Sequence, residues 1–151
     1  HERDHPFTEC ATFADDIKGK EGGFQTPWHF INQPYLDEEG TTVDDFPEFQ
    51  PPEVNVVEAL DNLMSFLKDG KKSDYVAQIA EHFPDEADQR SFSLRLIIHY
   101  LGDIHQPLHA VAEVDHRFPQ GDRGGNLQKV PDDGKGDGVA DLHAIWDSVI
   151  Y

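Results

Sequence analysis

The chain has 151 residues, of which 30 are Asp or Glu and 12 are Lys or Arg, leaving a formal net charge of −18. That length suits one domain with a real core, since domains commonly hold roughly 100–150 residues, and the charge argues against a protein that grips nucleic acid along a long basic track. The single cysteine, Cys10, excludes an intrachain disulfide, and no run of 18 apolar residues offers a membrane span.

In chain order, Phe7, Ala11, Ala14 and Ile17 recur at helical spacing and predict a helix over 7–18, ended by Gly19, Gly22 and Gly23. From Pro27 to about Pro52 the sequence is rich in Pro, acidic residues and turn formers and reads as extended and irregular, apart from Trp28, Phe30 and Ile31. Over 53–69, Val56, Val57, Leu60, Leu63, Met64 and Leu67 form one apolar stripe closed by Gly70, a strong helix signal. A shorter helix is expected over 73–83, stopped by Pro84. A long buried one follows over 86–105, stopped by Pro107. Gly and Asp residues between 115 and 138 read as a loop or hairpin, and a last helix begins near Asp141. With no βαβ alternation, the class is mainly α.

The chemistry lies in the helices. His99 and Asp103 stand four apart inside the apolar 86–105 segment and therefore project from one face about a turn apart. A buried Asp needs a partner or a cation, so the pair is either a polar core contact or half of a metal site. His143 and Asp147 repeat the spacing around Ile145 and Trp146. Two such pairs on two helices are a common way for a helical bundle to hold metal, and an imidazole–carboxylate donor set suits zinc, with manganese or iron as competitors. His109, just past the helix-breaking Pro107, is free to turn back toward the same pocket. Asp15 is either a ligand or a solvated helix residue beside Asp16, and His29 either a ligand or a turn residue packed on Trp28. His5, His82, His105 and His116 read as non-ligands, and Asp132-Asp133 and Asp37-Glu38-Glu39 as solvated loop charge, because neither run has the spacing of an EF-hand loop.

The string HYLGDIHQPLH at 99–109, followed by DRGGN at 122–126 and DLHAIWDS at 141–148, resembles the signature of the zinc-dependent single-strand-specific nucleases of fungi, plants and protists. Phe13-Ala14-Asp15 and Trp28-His29-Phe30-Ile31-Asn32 resemble that family's upstream motifs in the same order, so the likeness runs from about Phe13 to Ser148. It implies a multi-helix phospholipase C/nuclease-type fold around a zinc cluster, with 1–151 as a single domain. By the resemblance, Asp15, His29, His99 and Asp103 would bind one zinc and His109, His143 and Asp147 a second, while Asp103 would bridge to a third. The family completes that third ion with an N-terminal tryptophan and a nearby histidine, neither of which is recognisable here. Three zincs are therefore the family expectation, and two sites are the ones largely encoded. The expected reason is missing preceding sequence, with ligation by His1 or His5 as the alternative. Family helices beyond the position of Asp147 are also lacking, so the chain reads as an internal fragment.

The same resemblance assigns catalytic roles to Asp15, Asp103 and Lys18, the last standing where the family has an arginine near the reacting phosphate. A lysine keeps the charge and loses the bidentate fork. Phe30 matches an aromatic that stacks on a substrate base and Asn32 a polar contact to the base edge. Gly124, Gly125 and Asn126 would form a tight turn beside the second zinc. The residues themselves leave open that Phe30 is core, Lys18 a solvated helix end, and Asn32 and Asn126 turn residues. The implied activity is hydrolysis of single-stranded DNA or RNA to 5′-phosphate products by metal-activated water, with 3′-nucleotides as further substrates and a secreted or lysosome-like location. A zinc-dependent phospholipase C-like phosphodiesterase and a non-catalytic metal-stabilised relative are the rival readings.

Overall fold

The helix over Val56–Asp69 shows how the sequence writes its own boundaries. Asn55 accepts hydrogen bonds on its side-chain oxygen from the Val57 and Glu58 amides, at 3.0 and 3.1 Å, satisfying two of the donors a helix start leaves unpaired. At the other end Gly70 adopts φ +70°, the left-handed conformation that lets its amide return to the Phe66 carbonyl. The neighbouring helices are capped likewise, by Ser73 and by Asp85.

The computed structural model describes residues 5–20, 22–131 and 141–148. His1 and the Asp132-Asp133 pair lie outside the described residues. The chain is mainly helical, in two compact units: His1–Phe30 with Val54–His105, and Ile31–Glu53 with Gln106–Tyr151. None of the described helices is long and apolar enough to cross a membrane.

The first unit holds α1 (Pro6–Glu9), α2 (Phe13–Ile17), a 3-10 helix (Gly23–His29), α3 (Val56–Asp69), α4 (Asp74–His82) and α5 (Glu86–Asp103). The buried face of α3 is Val56, Ala59, Leu60, Leu63 and Phe66, and it packs on α4 and α5. Val57 and Met64, expected on that stripe, are instead 47% and 54% exposed. At 100° per residue both fall on the flank of the face centred on Leu60 and Leu63. From α5, Arg90 donates to the Phe66 and Leu67 carbonyls and so closes the end of α3. The core centres on Phe66, Leu63, Val76, Ile79, Leu96, Tyr100 and Trp28.

The single helix expected over 7–18 is two short ones, parted by a turn at Cys10–Thr12. The interruption leaves the Ala11 carbonyl free to accept from the ring of His99. Cys10 is half-buried, with its thiol turned to the Pro6 carbonyl. The segment expected to be irregular after Pro27 begins with the last residues of the 3-10 helix, which Gly22 and Gly23 open rather than forbid.

The second unit contains β1 (Gln33–Tyr35), a 3-10 turn (Val43–Asp45), α6 (Pro107–Ala110), β2 (Val111–Glu113) and α7 (Leu142–Ser148). The two strands pair in parallel, with Gln33 opposite Val111 and Tyr35 opposite Glu113. Phe46, Phe49, Ala112 and Val114 form the core beneath them, with Leu36 at its edge. Beyond β2 the chain is tied down by polar side chains. Asp115 accepts from the Arg117 and Phe118 amides and from the Arg117 guanidinium, and Asp122 accepts from the Glu113 amide.

Candidate metal centres

In the first unit α5 presents His99 and Asp103 one turn apart, the 3-10 helix delivers His29, and α2 delivers Asp15. Their polar atoms converge. His29 Nδ1 lies 2.8 Å from Asp103 Oδ2, 3.1 Å from His99 Nε2 and 3.7 Å from Asp15 Oδ1. His99 Nε2 lies 3.1 Å from Asp103 Oδ2 and 3.6 Å from Asp15 Oδ1. Both histidines are buried, Asp103 has an 11% exposed side chain, and Asp15 sits at the mouth at 55%.

These separations bracket the edge of a zinc tetrahedron, because donors at 2.0–2.1 Å from a four-coordinate ion stand about 3.3 Å from one another. The protonation pattern fits as well. His99 Nδ1 donates to the Ala11 carbonyl, so in the neutral ring Nε2 carries the lone pair that faces the two carboxylates. Burial, aided by the charges of Lys18 and His99, holds the His29 pKa below its ordinary value against the pull of Asp103. For His99 burial acts the same way, but the hydrogen bond and charge of Asp103, the Ala11 carbonyl and Asp15 outweigh it and raise the pKa. Two imidazoles and two carboxylates this close draw a positive charge among them, as a proton on a ring or as a metal ion. The donor set and its spacing therefore suit a divalent ion.

Lys18, immediately after α2, has its ammonium 2.6 Å from Asp15 Oδ1 and so is engaged with a candidate ligand. Phe30 is half-buried in extended backbone, and its carbonyl accepts from the Val56 amide at the start of α3.

In the second unit His109 comes from α6 and His143 and Asp147 from α7. The two imidazole rings stack with centroids 5.0 Å apart and planes 16° from parallel. Asp147 reaches both, at 3.7 Å from His109 Nε2 and 3.4 Å from His143 Nε2. His143 Nδ1 donates to the Gly124 carbonyl at 2.7 Å, again leaving Nε2 for the cluster. Gly124 can only be glycine there: its φ is +62°, and a Cβ would lie 2.1 Å from the Leu108 carbonyl oxygen. The DRGGN segment thus holds a carbonyl against His143. Asn126 is exposed and its amide closes its own turn by donating to the Arg123 carbonyl, at 2.8 Å. Asn32 takes φ +52°, a left-handed position that asparagine tolerates.

The structure therefore brings Asp15, His29, His99 and Asp103 together, and separately His109, His143 and Asp147. His82 stacks on Phe24, His105 turns back to the Leu101 carbonyl and His116 pairs with Glu38. Two residues adjoining the clusters were missed in the sequence. Gln25 contacts His29, and Gln106 donates to Asp147 Oδ1 at 2.9 Å. Neutral amides carry no motif, and the only available hint was that each lies within four residues of a candidate histidine.

No curated protein matches the chain. The family model described as S1/P1 Nuclease matches residues 1–151. Candidate metal-binding groups in both units stand on the motifs that carry the resemblance, and the chain belongs to the S1/P1 nuclease family, whose members are hydrolytic enzymes acting on nucleic acid.

Proposed function

We propose that residues 1–151 form one zinc-dependent nuclease domain that hydrolyses single-stranded DNA or RNA to 5′-phosphate products and releases phosphate from 3′-nucleotides. The observation that carries this reading is the meeting of His29, His99, Asp15 and Asp103 at separations of 2.8 to 3.7 Å. Asp15, His29, His99 and Asp103 would hold one zinc, and His109, His143 and Asp147 another. Zinc held there supplies Lewis acidity, which acidifies water and neutralises charge on phosphoryl oxygens.

The protein's own residues do the rest. Lys18 pairs with Asp15 at 2.6 Å and adds a positive charge beside it. With a formal charge of −18 the chain repels a polyanion at long range, so the positive field that receives a phosphate has to be local to these clusters. Phe30 is the proposed stacking platform for an unpaired base, Asn32 the proposed polar contact to the base edge, and Asn126, in the turn beside the second cluster, a further proposed substrate-binding residue. A duplex resists giving up a base to such a platform, which accounts for a single-strand preference. A secreted or lysosome-like setting accords with this reading.

Incubation of the protein with single-stranded DNA, duplex DNA, RNA, 3′-AMP and phosphatidylcholine vesicles tests the assignment. Release of nucleotides bearing 5′ phosphates from single strands, well ahead of duplex, is expected. Turnover of phosphatidylcholine with no turnover of single strands would instead identify a phospholipase C-like phosphodiesterase, and turnover of none of them a non-catalytic relative.

A further inference from the structure

Three of the clustered histidines have a second ring nitrogen whose partner is clear, and the partners differ in kind. His99 and His143 donate to main-chain carbonyls, of Ala11 and Gly124, which no side-chain substitution removes. His29 is instead held by a side chain: its Nε2 lies 2.7 Å from Gln25 Oε1.

Gln25 is fully buried, and both ends of its amide are engaged. Its Nε2 donates to the Ala14 carbonyl at 2.9 Å, and its Oε1 accepts from the Tyr100 hydroxyl at 2.5 Å. The Ala14 carbonyl can only accept, so it fixes which end of the amide is nitrogen and directs Oε1 toward His29. An amide oxygen can only accept, so His29 Nε2 must be the donor, and the neutral ring then bears its lone pair on Nδ1, the atom that faces Asp103, His99 and Asp15. Ala14 precedes Asp15 in α2 and Tyr100 follows His99 in α5, so one buried amide ties together the three elements that supply the cluster.

We propose that Gln25 is a positioning residue for the first metal site: by accepting from His29 Nε2 it selects the tautomer that offers Nδ1 to zinc. This rests on the zinc reading above. Partners of this kind typically contribute 10- to 100-fold in metal affinity.

The test is zinc titration of the full chain against a competing chelator, for the native protein and the variants Gln25→Leu and Gln25→Glu, together with 15N NMR of the His29 ring in the zinc-loaded native protein. Gln25→Leu removes the acceptor and is expected to weaken the first site 10- to 100-fold, leaving the second within about threefold. Gln25→Glu keeps an acceptor for His29 while losing the donation to Ala14, and is expected to hold zinc within about threefold of the native protein. The native spectrum should show Nε2 protonated and Nδ1 metal-bound. Native affinity in Gln25→Leu, equal loss in both variants, or a protonated Nδ1 would each overturn the proposal. Should a variant fail to fold, the native spectrum alone decides. A native protein that takes up no zinc would instead remove the zinc reading beneath it.

Discussion

The two candidate centres use the same alphabet to different degrees of closure. In the first, both imidazoles are buried, Asp103 is nearly so, and both rings have their outer nitrogens engaged, by Ala11 and Gln25. In the second, His109 and His143 have side chains 12% and 19% exposed and Asp147 is 48% exposed. Its donors stand 3.4 and 3.7 Å from the shared carboxylate, against 2.8 and 3.1 Å in the first. The first centre is thus preorganised within a helical core, whereas the second depends on one-turn and two-turn helices and a glycine turn. A three-residue donor set leaves a position for water or substrate, and the set of four in the first centre opens to solvent through Asp15, whose side chain is 55% exposed.

The largest way to break this contrast is His99→Ala. It removes a buried donor from a set of four, so zinc at the first site should be lost. Hydrolysis of single-stranded DNA should fall by on the order of a thousandfold, since a direct ligand is worth more than the 10- to 100-fold of an outer partner. Elemental analysis and a rate measurement check both. Next comes Gly124→Ala, which places a methyl 2.1 Å from the Leu108 carbonyl at a φ of +62°. Strain of this kind costs about 1–3 kcal/mol. A denaturant midpoint should show the loss, accompanied by weaker zinc at the second site only. Gln106→Ala removes a single neutral donor from exposed Asp147 and should weaken the second site by a few-fold, on the order of the roughly 1 kcal/mol of one hydrogen bond. Equal losses at both sites in Gln106→Ala would erase the distinction between the centres.

The parts of this molecule that could be read from sequence are those whose causes are local. The start and end of α3 are written by Asn55 and Gly70, and the His99–Asp103 and His143–Asp147 pairs follow from helical spacing. What escaped depends on partners far along the chain. The turn at Cys10–Thr12 frees a carbonyl for His99, 88 residues away, and β1 is three residues long, contains Pro34, and pairs with a strand starting at Val111. Val57 and Met64 misled because apolar side chains are common at surfaces. Gln25 and Gln106 were invisible as site residues because neutral amides acquire a role only through what they touch.

The central claim is that the clustered histidines and carboxylates hold zinc and that the chain's nuclease activity depends on it. Elemental mass spectrometry on the isolated protein, paired with release of acid-soluble nucleotide from single-stranded DNA before and after chelation, tests it most directly. At least two zincs per chain are expected, with activity abolished by the chelator and restored by added zinc. A zinc-free protein that cleaves single strands at an undiminished rate would contradict the account.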